Sequence, residues 1–188
     1  MELHLIRHPR PAIADGICYG QSDLGLAEAP APVAARLRPL LPRHYRLYAS
    51  PLARARLLAE ELGSVVLDAR LKEMDFGAWE MQPYAQIGPA LEAWVEDPLG
   101  FRAPGGESAH DMSRRVDEWF DEMLAAAGTH ATEAVVVVAH GGPLRAIAGR
   151  LLGIPAERWL SLAFECGHAT RIDLAPWGAM LKWFNRPG

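Results

Sequence analysis

Residues 134 to 139 read Ala-Val-Val-Val-Val-Ala, and no other segment restricts the fold as strongly. The β-branched side chains favour an extended backbone, and no polar residue alternates with them. Such a strand has to be covered on both faces, as happens at the centre of a parallel sheet flanked by helices. The run is far shorter than the roughly 20 apolar residues that a membrane-spanning helix needs. It stops at His140, after which Gly141-Gly142-Pro143 opens a helix expected to run through Leu152, with Gly153 and Pro155 ending it.

The pattern of strand, polar turn and helix recurs along the chain. Leu3, Leu5 and Ile6 make a short apolar strand that closes on Arg7-His8, because Pro9 and Pro11 cannot continue a central strand. Tyr45 to Ala49 predicts a second strand. Ser50 is placed to cap the next helix, Pro51 suits its first turn, and Leu52, Ala55, Ala59 and Leu62 follow helical spacing up to Gly63. Val65 to Leu67 predicts a further short strand. Ser108 and Asp111 form a capping-box pattern before a long amphipathic helix. Its core stripe is Met112, Val116, Trp119, Phe120, Met123 and Leu124, with Arg114, Arg115, Asp117, Glu118, Asp121 and Glu122 on the exposed face. Amphipathic packing already explains the Met and Trp residues, which need no cofactor. The Ala/Pro-rich stretch from Glu28 to Val33 reads as a loop or helix entrance. Ala169 to Leu174 and Ala179 to Phe184, flanking Pro176-Trp177-Gly178, predict a hairpin that finishes one side of the sheet. Alternating strands and helices in 188 residues, 50% of them hydrophobic, predict one α/β domain spanning residues 1–188. Its expected architecture is a three-layer α/β/α sandwich with a mostly parallel central sheet.

Composition excludes several classes of function. The net charge of −4, from 19 basic and 23 acidic residues, contains no basic stripe, which argues against nucleic acid as a partner. Cys18 and Cys166 are far apart and outside any Cys-x-x-Cys pattern, so a disulfide framework and a zinc site are both disfavoured and free thiols are expected. Met1 to Arg7 lacks the basic start, apolar stretch and cleavage site of a signal peptide, so no membrane association and a cytoplasmic location are expected.

Two strands each deliver a histidine at the carboxyl end, His8 and His140, where ligand sites of open α/β sheets collect. Arg7 and Arg54 stand at strand-to-helix transitions, and a planar guanidinium matches phosphate with two parallel hydrogen bonds. Gly141 and Gly142 allow close backbone approach at a helix N-terminus, where free N–H groups favour anions. A lone histidine or arginine at such a position is more often structural; the combination in one pattern is what points to a phosphate site.

Leu5-Ile6-Arg7-His8, Ser50-Pro51-Leu52-Ala53-Arg54, the stretch Leu71 to Glu80 and Val138-Ala139-His140-Gly141-Gly142 resemble, in order, the four motifs of the histidine phosphatase, or phosphoglycerate mutase-like, superfamily. The resemblance covers nearly the whole chain. It implies a phosphoglycerate mutase-like fold and a metal-independent phosphatase without a cofactor, in which His8 attacks phosphorus and becomes phosphorylated. For that, one ring nitrogen must be free while an acceptor holds the proton of the other. Arg7, Arg54 and His140 would surround the non-bridging oxygens. Glu73 would protonate the leaving oxygen and later draw a proton from the hydrolytic water. An acid of that kind calls for apolar walls, for which Met74, Phe76 and Trp79 are the candidates. The competing reading of Glu73 is a surface carboxylate paired with Lys72 or Arg70.

Departures from the general pattern narrow the choice. Many members continue Arg-His with Gly-Glu-Thr, whereas Pro9-Arg10-Pro11 follows here, so that loop must build the pocket differently. The segment 16–23, the variant Trp79-Glu80-Met81 and the stretch Gly153 to Glu157 resemble the α-ribazole-5′-phosphate phosphatase branch, which serves cobalamin nucleotide-loop assembly. The chain is also short beside the cofactor-dependent mutases of the family, which implies a more open pocket and hydrolysis. Arg10, Tyr19, Gln21 and Gly141 are the candidates for substrate binding, with local turn roles for the first three equally open. The expected partner is a small phosphorylated metabolite, and the resemblance admits a homodimer. Other readings are a broad small-metabolite phosphatase, a phosphoglycerate mutase, or a regulator that binds a phosphorylated ligand without turnover. The presence of His8, Arg7, Arg54, Glu73 and His140 together weighs against the last. His4, His44, His110, His130 and His168 lie outside the motifs and are expected at the surface or in supporting positions, with His168 the one to inspect.

Overall fold

The computed structural model describes residues 1–129 and 132–188. In chain order the elements are β1 (Glu2–Arg7), α1 (Pro30–Leu37), β2 (Arg46–Ala49), α2 (Ala53–Leu62), β3 (Val65–Leu67), α3 (Tyr84–Ile87), α4 (Ala90–Glu96), α5 (Ala109–Thr129), β4 (Ala134–Ala139), α6 (Gly141–Leu152), β5 (Ala169–Ala175) and β6 (Gly178–Arg186). Among the described residues the strands form one sheet in the order β3-β2-β4-β1-β5-β6. β1 to β4 run parallel, and the closing hairpin of β5 and β6 runs antiparallel against β1.

The valine run is β4, one of the two central strands of the sheet, with β1 on one side and β2 on the other, and all six of its residues are buried. Its side chains alternate between two cores. Val135 and Val137 pack with Leu3 and Leu5 under Val116, Phe120 and Ile147 of α5 and α6. Val136 and Val138 pack with Ile6 and Leu47 under Leu37, Leu58 and Leu62 of α1 and α2. The segment is apolar throughout because both faces are covered, and the expected three-layer α/β/α sandwich is the result. Each fully buried valine contributes roughly 1.5–3 kcal/mol relative to an exposed one.

The capping box before α5 forms as expected: the Ser108 N–H donates to Asp111 Oδ2 at 2.9 Å, and the Asp111 N–H donates to Ser108 Oγ at 3.2 Å. The helix entrance near residue 30 is real, with Pro30 opening α1. Two expectations fail. Ser50 does not cap α2, whose N-cap is Leu52 without a side-chain bond. Arg115 does not sit on the solvent face of α5; it is 19% exposed and folds over the preceding loop. No helix among the described residues is long and apolar enough to cross a membrane.

Candidate functional site

Sheet register brings the two histidines together. Arg7 stands opposite Ala139 in the parallel pairing of β1 with β4, so His8 and His140 each lie one residue beyond the last matched pair. Ala49 of β2 stands opposite Val138, which brings Ser50 to the same edge. The rings of His8 and His140 are 5.0 Å apart between centroids, and both residues are buried.

His8 Nδ1 lies 2.6 Å from the Pro9 carbonyl oxygen, which can only accept, so Nδ1 carries the proton and Nε2 keeps its lone pair. Pro9 thus supplies the required acceptor through its backbone. Burial, reinforced by the Arg54 and Arg7 charges, holds the His8 pKa down to about 3. The ring is therefore neutral throughout the physiological range. His140 is pushed in the same direction by burial and by its cationic neighbours. Its Nε2 lies 2.8 Å from Ser50 Oγ. Ser50 Oγ also accepts the Leu52 N–H at 3.3 Å. That arrangement leaves the hydroxyl proton free to point at His140.

The two arginines are held from behind. Arg7 Nη1 donates to the Phe164 carbonyl at 2.6 Å, and Arg54 donates to the carbonyls of Ser22 at 2.8 Å and Gly20 at 2.5 Å. Tyr19 stacks on the Arg54 guanidinium, with 5.3 Å from Cζ to the ring centroid. Among the described residues, Arg7 Nε, Arg54 Nε and His140 Nδ1 are buried without any hydrogen-bond partner. Buried polar atoms are nearly always paired, at a cost of about 1–3 kcal/mol each when they are not. Arg7 and Arg54 both act on His8 through their charge, and the His140 ring lies 5.0 Å from it; His4 Nδ1 and Trp94 Nε1 are unpartnered as well.

Glu73 faces this group from the opposite side. Both carboxylate oxygens lie 3.2 Å from the Gly142 N–H, and one also accepts the Met74 N–H at 2.9 Å. A Cβ at position 142 would collide with Glu73 Oε1 and come within 2.6 Å of Met112 Sδ, so the ends of these two side chains would have to shift to admit it. Of the two partners in the surface-pair reading of Glu73, Arg70 pairs with Asp68 and Glu122 instead.

A cavity of about 240 Å³ opens above these residues, with Arg7, His8, Glu73, Gly142 and Arg145 in its floor. Its walls are Met74, Phe76, Tyr84, Trp94, Met112 and Trp159. Arg54, His140 and Gly141 are buried and do not line it. Of the three first-loop candidates, only Tyr19 lines this cavity. Arg10 pairs with Asp15 at 2.8 Å with its side chain 64% exposed, beside a separate hollow. Gln21 donates to the Glu73 carbonyl at 3.2 Å. Trp79, expected as a wall for Glu73, instead stacks on Phe101 in a small separate core with Cys18 and Ile87.

Sequence reasoning missed Arg145, which faces the cavity from α6 and anchors its Nε on the Leu162 carbonyl at 2.9 Å. The signal was present: Arg145 follows Gly141 by four residues and so shares its helix face. It also missed Ser50 as the partner of His140. His168 braces the floor from outside, its carbonyl accepting the Arg7 N–H at 3.2 Å. His44 and His110 are exposed, His4 is buried against Trp183, and His130 lies outside the described residues. Both cysteines are free. Among the described residues no group of three or more His, Cys, Asp or Glu side chains is gathered as a metal site.

The fold and this arrangement define an α/β enzyme with a cationic, histidine-bearing pocket at the strand ends. The histidine phosphatase superfamily (branch 1) matches residues 3–187, and the chain belongs to that family. It is a phosphatase of the superfamily, a family that acts on small phosphorylated substrates. It is 30% identical over 193 residues to a probable phosphoglycerate mutase GpmB of Erwinia tasmaniensis, covering 94% of this chain and 87% of that protein. It is 33% identical over 169 residues to a glucosyl-3-phosphoglycerate phosphatase of Mycolicibacterium vanbaalenii, covering 82% and 72%. The crystal structure of the α-ribazole phosphatase from Shigella flexneri superposes with a TM-score of 0.88 at 26% identity, covering 100% of this chain and 98% of that one.

Proposed function

We propose that this phosphatase works through a phosphohistidine on His8 and that its substrate is α-ribazole-5′-phosphate. The observation that carries the mechanism is the set of unpartnered buried atoms, Arg7 Nε, Arg54 Nε and His140 Nδ1, around a histidine whose Nε2 is free. The non-bridging oxygens of a phosphoryl group would satisfy them. Ser50, donating its hydroxyl proton to His140 Nε2, selects the tautomer that carries its proton on Nδ1 and can donate to phosphate. His8 Nε2 attacks phosphorus as the bond to the ester oxygen breaks, and Glu73 delivers a proton to that oxygen. Water then attacks phosphohistidine and gives a proton to Glu73, the N–P bond breaks, and inorganic phosphate leaves. The arginines compensate charge on the transferring group and are already aimed by their carbonyl partners.

The choice of substrate rests on the walls. Phe76, Tyr84, Trp94 and Trp159 offer flat apolar surface for the planar base of α-ribazole, and the solved structure named above as an α-ribazole phosphatase shares the whole fold. Arg145 favours a second reading, since its charge in the floor would suit the carboxylate of a phosphoglycerate ester, the chemistry named in both curated relatives. The deciding experiment measures kcat/KM for α-ribazole-5′-phosphate, 3-phosphoglycerate and glucosyl-3-phosphoglycerate, with acid-labile, base-stable phosphate trapped on the protein by rapid quench. Preference for the first by tenfold or more sustains the assignment, and preference for either glycerate ester replaces it. Absence of trapped phosphate in the wild type under single turnover, or its persistence in His8→Ala, overturns the phosphohistidine route.

A further inference from the structure

Arg115 divides its hydrogen bonds between the segment that carries Glu73 and the carboxylate of Glu107. Nη1 donates to the carbonyls of Arg70 and Lys72, both at 2.7 Å. Nη2 donates to the Glu73 carbonyl at 2.9 Å and to Glu107 Oε1, and Nε donates to Glu107 Oε2 at 3.1 Å. A guanidinium has five N–H donors, and all five find an acceptor here. Glu107 Oε1 also accepts the Asp75 N–H at 3.0 Å, so the same ion pair grips the backbone on both sides of Glu73. Gln21 adds a second donor to the Glu73 carbonyl.

This density is unusual for a side chain whose helix position reads as solvent-facing, and stability alone does not explain where it is spent. Residues 69–75 contain a short 3-10 turn at Ala69–Leu71 and then irregular backbone. No sheet ladder fixes the φ and ψ of Glu73, yet its carboxylate has to remain at the Gly142 N–H on a different element. α5 is a rigid 21-residue helix with its inner face in the main core, so a clamp projecting from it fixes the loop relative to the floor.

We propose that Arg115, buttressed by Glu107, is a positioning residue for Glu73: by holding the carbonyls of residues 70, 72 and 73 it sets the proton-transfer geometry of the carboxyl group toward the leaving oxygen. The inference rests on the reading of Glu73 as the general acid. Displacing a catalytic group by about 1 Å can cost on the order of 100-fold in rate. The cost should appear only where the leaving oxygen needs a proton.

The test compares kcat/KM for p-nitrophenyl phosphate, whose phenolate departs without a proton, with that for an alkyl phosphate whose alkoxide cannot. This ratio reports transfer to His8 and is insulated from later hydrolysis of the phosphoenzyme. Arg115→Lys keeps the charge but has three donors in place of a planar fork. It is expected to lose about 100-fold on the alkyl ester and less than about threefold on the nitrophenyl ester. Glu107→Gln, which withdraws the charged buttress, should show the same asymmetry at smaller amplitude and decides the matter if Arg115→Lys does not fold. Glu73→Gln is the reference. If it loses both substrates equally, the general-acid reading falls and the inference with it. If Glu73→Gln is selective while the folded Arg115 and Glu107 variants lose both esters in parallel, or lose neither, Arg115 is a structural residue only.

Discussion

The floor of the pocket and its walls are built by different means. The floor residues Arg7 and His8, with His140 packed beside His8, stand at the ends of β1 and β4, locked by strand register and by backbone contacts such as the His8 N–H on the Ala139 carbonyl at 3.0 Å. The far wall comes from the four-residue α3, the seven-residue α4 and the 3-10 segment Ala156–Ser161, none of which contains a fully buried apolar anchor comparable to those of the sheet. Val95 and Leu160 there are 68% and 58% exposed. A rigid floor suits chemistry that must be repeated on any phosphoryl group, and a lightly anchored wall suits recognition of the part that varies. The two regions should therefore respond differently to substitution.

The largest effect belongs to the floor. His8→Ala should remove turnover by a factor on the order of 10⁴ or more on every phosphomonoester, because no other side chain in the cavity offers a neutral nitrogen nucleophile. Steady-state phosphate release on two chemically unrelated esters checks this, and a variant that retains activity on one of them would break the division between general floor and selective wall. Gly142→Ala tests the seam between the regions. The added methyl would displace Glu73 from its N–H contact, and a loss of about 100-fold in kcat is expected with little change in melting temperature.

The wall should give smaller, substrate-dependent effects. Trp94 lines the cavity, and its indole N–H is buried without a partner among the described residues. Trp94→Ala is expected to raise KM for an ester with an aromatic leaving group by about tenfold while leaving an alkyl phosphate within about twofold. Equal effects on both would mean that the wall supports the floor and selects nothing.

The same contrast explains what could be read in the sequence. The floor was legible because burial on both faces leaves a visible imprint in the valine run, and because a residue one position past a strand end has few places to go. Ser50 was misassigned for a physical reason: Ser-Pro before a helical pattern is a normal capping signal, and the contact that prevails instead is with His140, 90 positions away in the chain. Helical spacing put Arg115 on the outer face of α5, which is correct for its Cα. A long side chain can nevertheless turn back over a loop, and periodicity does not see that loop. The short helices α3 and α4 carry too few residues for a periodic signal, so Tyr84, Trp94 and the shape of the wall were invisible. Position in the first loop points Arg10 and Gln21 toward substrate, yet Asp15 and the Glu73 backbone hold them.

The effect that is smallest per residue and per pH unit concerns stability against pH, and it again separates floor from wall. His4, His8 and His140 all have folded-state pKa values below the ordinary 6.5, in each case chiefly because burial disfavours the charged ring. In the unfolded chain they titrate near 6.5. Below that pH the unfolded state takes up protons that the folded state refuses, so stability is fully present above about pH 6.5 and is lost as pH falls toward the folded values, about 3 for His8. Each such histidine is expected to cost on the order of 1 kcal/mol per pH unit in that window. Urea unfolding midpoints between pH 8 and 5 measure the slope. The wall contributes no histidine, so Trp94→Ala should shift the curve without altering its shape, whereas His140→Asn should flatten it. A wild-type curve that is level from pH 7 down to 5 would mean that the floor opens to water far more readily than its packing implies, and the contrast between the two regions would not survive that result.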